Sequence, residues 1–166
     1  MYDPLLIANF FIDKALEEEI PLTHMKLQKL IYFAHGANYV SGDEPLLNET
    51  IEAWEYGPVV DGLYHKLKKY GNEPIRELQE INGEISNPCD DLDDRTIAIL
   101  ESVWNSLKRF TAIQLSSASH VEGSPWHRTK YEKCGGRLRM SQDIEEDFIK
   151  DFFRSRFSNG AIAVAP

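Results

Sequence analysis

Thr23-His24-Met25-Lys26-Leu27-Gln28-Lys29-Leu30-Ile31-Tyr32-Phe33-Ala34 opens on a hydroxyl suited to cap free backbone N–H groups and continues with apolar residues three and four apart. Leu27, Leu30, Ile31 and Ala34 form the stripe of a helix. Met25, Tyr32 and Phe33 widen it, and Leu22 is placed to staple onto Leu27. Lys26 and Lys29 fall on the polar side, either paired with carboxylates such as Glu52 and Glu55 or solvated. Upstream, Asp3 can cap a first helix with Pro4 at its opening position, where the missing N–H costs nothing; Leu5, Ala8, Phe11, Ile12 and Ala15 share its apolar face.

Downstream, the run from Glu49 to Tyr56 predicts a short strand, with Ile51, Ala53 and Glu55 on one side and Trp54 and Tyr56 on the other. Gly57 then permits a sharp turn and Pro58 starts a third helix bearing Val60, Leu63, Tyr64 and Leu67, with Lys68 and Lys69 near its negative end and Gly71 as its stop. Asn82-Gly83 between Ile81 and Ile85 suits a type I′ hairpin turn. The polar loop from Asn87 to Asp94 ends in carboxylates that can cap a helix striped by Ile97, Leu100, Trp104 and Leu107 and closed by Lys108 and Arg109. Thr111 and Gln114 match a capping box, with Phe110 placed against Leu115. Ser124-Pro125 signals another start, and Gly135-Gly136 a break. Ser141 caps a final helix with an acidic first turn and a buried face of Ile144, Phe148, Phe152 and their neighbours. These elements predict an α+β fold: a predominantly α-helical single domain over residues 1–157 with a small antiparallel β element, and a flexible C-terminal tail at 158–166.

Composition agrees. A chain of 166 residues with 42% hydrophobic side chains can bury a core without disulfide or metal staples, and no internal repeat is visible. The longest uncharged apolar run, Pro4 to Ile12, is far short of the roughly 20 residues of a membrane-spanning helix. Asp3 stands where a secretory signal carries a base, so a cytoplasmic protein with no membrane partner is expected. Cys89 and Cys134 lie far apart and read as reduced thiols. A formal charge of −9 opposes nonspecific attraction to nucleic acid. The charge is uneven: Glu77 to Glu101 holds eight acidic residues and one basic, Lys108 to Arg139 seven basic and two acidic.

Enzymatic motifs do not appear. There is no nucleophile elbow, phosphate loop, dinucleotide fingerprint or zinc-protease helix. His120-Val121-Glu122 resembles the opening of a zinc-deaminase signature, but Trp126 occupies the place of the first cysteine, so no metal shell is expected. Cys134 beside Gly135 reads as a small apolar filler rather than a nucleophile. Thr111 to Lys133 has the outline of a helix-turn-helix, with Gly123 in the turn and His127, Arg128, Lys130 and Lys133 on the second helix; the net charge argues against DNA contact. No catalytic residue, metal or cofactor is assigned.

Three stretches together resemble the Panacea domain, a family of SocA-like antitoxins. They are Thr23 to Ala34, with Thr23, Lys26, Leu27, Lys29, Leu30 and Tyr32; Ile51 to Val60, with Glu52, Trp54, Gly57 and Pro58, followed by Tyr64 and Tyr70-Gly71; and Leu115-Ser116 through His120, Ser124, Pro125 and Trp126. The similarity covers about residues 5 to 131. It implies a bacterial or prophage-encoded antitoxin that binds directly to a toxin encoded by an adjacent gene. The same family includes a member resembling a proteolytic adaptor, which implies the alternative of delivering the toxin to an ATP-dependent protease; a DNA-binding transcriptional regulator using Thr111 to Lys133 is the alternative that the helix-turn-helix outline offers. If partner binding is the function, a few aromatic and Arg residues within a polar rim should carry it, with Tyr56, Tyr64, His65, Trp126 and Arg128 the candidates. Trp126 suits a buried anchor better than an exposed contact.

Overall fold

The computed structural model describes residues 1–85, 87–138 and 142–157. Its elements run in the order α1 (Pro4–Glu17), α2 (His24–Ser41), β1 (Glu52–Trp54), β2 (Gly57–Val59), α3 (Asp61–Leu67), α4 (Asp94–Leu107), α5 (Ala112–Ser119), α6 (Pro125–Arg128) and α7 (Glu146–Phe157). Two 3₁₀ turns, Lys68–Tyr70 and Pro88–Asp90, and a π-helical turn, Thr129–Lys133, complete them. The predominantly helical α+β fold with one small antiparallel sheet is the one the sequence predicts.

The expected caps are in place. The Asp3 carboxylate accepts from Leu5 N, the Thr23 hydroxyl from Lys26 N, and Asp93 from Thr96 N. Thr111 and Gln114 form a reciprocal capping box, and Ser124 caps the proline-led α6. α2 is the hub, packing against α1, α3, α4, α5, α7 and β2. Leu27, Leu30, Ile31, Tyr32 and Ala34 are buried on it, as the apolar stripe requires. Asn82 and Gly83 both adopt positive φ, 53° and 85°, between bridged Ile81 and Glu84, so the predicted hairpin turn forms as a single bridge.

Two expectations give way. Pro58 does not start a helix: it lies in β2 opposite Ala53, and α3 begins at Asp61. A proline's missing N–H is harmless at a helix start and also at a strand position that needs no donor, and the reversal at Gly57 selects the second. Lys26 and Lys29 are neither solvated nor paired with Glu52 or Glu55; they are 7% and 1% exposed, and each donates to a backbone carbonyl, of Lys108 and Pro58 respectively.

The outer edge of β1 is also used. Ala53 N donates to Gln142 O and Ile144 N to Ile51 O, so the segment ahead of α7 lies along the strand. α7 follows, burying Ile149 and Phe153. Its Phe153 ring rests on Gly36 of α2, where any Cβ would overlap it. The expected cap at Ser141 and the tail at 158–166 lie outside the described residues. Among those described, no helix is long and apolar enough to cross a membrane.

Candidate partner interface

β1 and β2 are joined by two residues, Glu55 and Tyr56, and Gly57 takes the return at φ 108°, a backbone conformation that L side chains disfavour. The Tyr56 side chain consequently projects from the tip, 70% exposed. The tip itself is tied down from below. The Ser116 hydroxyl donates to Tyr56 O at 2.9 Å and the Trp126 indole to Trp54 O at 2.6 Å, while His120 Nε2 sits 3.3 Å from Glu55 O. The Lys29 ammonium donates to Pro58 O at 2.9 Å. These groups press so close that a Cβ on Gly57 would lie 2.7 Å from Lys29 Nζ and 2.8 Å from Ser119 Oγ. Exposed aromatic and rigid backbone are thereby combined, the condition under which little entropy is lost on binding.

Beside the hairpin is a cleft of about 420 Å³. Trp54, Tyr56 and Tyr64 supply aromatic surface, Met25 and Val59 aliphatic surface, and Glu55, His24 and Asn72 polar groups, with Gln28 and Lys29 completing the lining. Tyr64 is the pivot: its ring centroid lies 4.7 Å from Trp54, 5.7 Å from His24 and 5.5 Å from His65. The Trp54 indole is oriented by Glu52, to which it donates at 2.7 Å. Gln28 holds Val60 by both of its backbone groups, fixing the start of α3 relative to α2. Burial pulls the Lys29 ammonium down to about 7 and also lowers His24, whose Nδ1 is buried with no partner among the described residues.

Of the expected contact residues, Tyr56 and Tyr64 line the cleft; His65 lies beside Tyr64 outside the lining, bonded to Lys68 and Asp61. Trp126 is 4% exposed beneath the hairpin and meets the His120 ring edge-on, with centroids 3.9 Å apart, so it anchors the surface and offers none of its own. Arg128 lies elsewhere, over the Phe148 ring at 3.7 Å and paired with Glu132 at 3.3 Å. In the segment with the helix-turn-helix outline, α5 is followed by the four-residue α6 and the π-helical turn; Lys133 pairs with Glu145 and Lys130 covers Trp126, so part of its basic side is engaged within the fold. Among the described residues no group of His, Cys, Asp or Glu is arranged to hold a metal.

Sequence reasoning missed Met25, His24 and Asn72 as cleft residues. It also missed a polar centre between α2 and α7, where Glu146 accepts from Tyr39 and pairs with fully buried His35, each at 2.8 Å. His24 and Met25 are half-buried in the first turn of α2, where the apolar pattern placed Met25 in the stripe. The Glu146 centre joins residues 111 and 107 apart, and no local pattern marks it.

The helical scaffold stiffens a short hairpin and leaves an aromatic cleft beside it. Residues 27–127 match the family model described as Antitoxin SocA-like, Panacea domain, and the chain belongs to that family. The match runs from α2 to α6 and includes the whole hairpin. Antitoxin SocA of Caulobacter vibrioides is 34% identical to the chain over 172 residues, which span 99% of the chain and 88% of that protein. No solved structure matches.

Proposed function

We propose that the chain is a noncatalytic, cytoplasmic antitoxin that neutralises a cognate toxin, encoded by an adjacent gene, through direct protein–protein contact. Membership of the SocA-like family supports the class of function. The observation that carries direct contact is the hairpin tip: Tyr56, 70% exposed, on a backbone fastened by four groups from α2, α5, the α5–α6 turn and α6. Exposed aromatics on rigid backbone, next to a cleft, have the character of binding hot spots.

Co-expression with the product of each neighbouring gene tests this. One of these products alone should arrest growth, and with the chain present growth should resume and the two should copurify. Harmless neighbours throughout would remove the reading. An unchanged toxin lifetime in rescued cells accords with blocking, whereas a shortened one points to delivery for degradation.

A further inference from the structure

We propose that the cleft beside the hairpin is a socket for an arginine side chain, and that the toxin docks by lodging a guanidinium from a basic segment among Trp54, Tyr56 and Tyr64. This rests on the antitoxin reading and names the chemistry that reading requires of the partner.

Three observations converge. The aromatic side chains of Trp54, Tyr56 and Tyr64 line the cleft, and a planar guanidinium stacks on such surface while still directing its N–H groups sideways. The rim supplies a charged acceptor. Glu55 is exposed there with no ion pair among the described residues. An arginine has five donors and no acceptor, which fits that carboxylate; an aliphatic or phenyl side chain would leave it unanswered. Finally the charge fits: the chain carries −9, so a basic segment is attracted from a distance as well as at the cleft.

The nearby cations do not oppose this. Lys29 is turned onto Pro58 O, with burial drawing it toward its neutral form. Lys66 and Lys69 line a different depression, with Glu77 and Glu80, and Lys68 is bonded to His65.

The socket is tested on the intact chain with capped tripeptides as probes. NMR of the three Trp indole N–H groups during titration with acetyl-Gly-Arg-Gly-amide should move Trp54 and leave Trp104 unmoved. The corresponding Lys peptide should bind at least severalfold more weakly, and the Leu peptide should leave Trp54 unmoved. A Leu peptide that perturbs Trp54 as strongly as the Arg peptide, or an Arg peptide that does not move Trp54, overturns the proposal. In the toxin complex, Glu55→Gln and Tyr56→Ala should each weaken affinity about tenfold or more, with Tyr131→Ala, an exposed aromatic on the π-helical turn, unchanged. Undiminished affinity in both cleft variants rejects the socket while leaving the antitoxin reading intact. Absence of any complex with wild-type chain rejects the reading itself, and the peptide titration still decides the socket.

Discussion

Lys29 loses its water on folding and regains one hydrogen bond, to Pro58 O, with no carboxylate paired to it among the described residues. Its ordinary value of 10.5 falls to about 7 in the folded chain, so between those pH values the unfolded chain holds a proton that the folded chain lacks. Stability therefore rises with pH across that window, and Lys26, also lowered by burial, adds to the same slope. Lys29→Met should flatten the rise in melting temperature from pH 7 to 10. At the alkaline end it should cost about 1–3 kcal/mol, because Pro58 O is left buried and unpaired. Gly57→Ala meets both a positive φ and the Lys29 and Ser119 side chains, and should lose about 2–4 kcal/mol in chemical denaturation. Why the two lysines read as surface residues is plain from these contacts. A helical pattern ranks polar against apolar, but the carbonyls that receive their ammonium groups come from residues 82 and 29 positions away. Trp126, in contrast, was legible as an anchor because its size alone favours burial.

Secondary structure reads best where its stops and starts are chemical and local. Asp3, Thr23, Asp93, Thr111 and Ser124 all cap as their sequences promise. The hairpin reads only half as well: β1 is visible in Ile51 and Ala53, but β2 is three residues with a proline in the middle, which carries no strand pattern at all. The capping box of α5 sets where Ser116 meets Tyr56 O, so Thr111→Ala should cost about 1 kcal/mol in a thermal melt and increase hydrogen exchange in the first turn of α5. α7 depends on a polar centre as well as on Ile149 and Phe153. Burial pushes Glu146 up, but hydrogen bonding and charge from His35, with help from Tyr39, outweigh it and leave the carboxyl below its usual range. Such a group contributes stability at neutral pH that is lost as the pH falls through its folded value. Glu146→Gln should therefore lower the melting temperature near neutrality and lose that effect in acid, and exchange of α7 amides should rise before those of α1.

At the scale of the whole molecule, charge governs how partners meet. With a formal −9 on the chain, association with a basic toxin should slow about tenfold or more between low and high salt, while dissociation changes less. Stopped-flow mixing at several ionic strengths measures both rates, and a salt-independent on-rate would show that the partner is not basic. Overall architecture and the family-bearing segments were readable because they rest on periodicity and caps; the cleft was not, because it exists only once α2, the hairpin and α3 have met. The arrangement of α2 as hub, with Phe153 of α7 resting on Gly36, bears on synthesis. On the ribosome, every element of the hairpin face has been translated once Trp126 emerges, yet the flank of α2 bearing Tyr32, Gly36 and Tyr39 stays bare until Phe153 arrives. A nascent chain thus completes its hairpin and cleft while an apolar strip on its central helix is still open to chaperones.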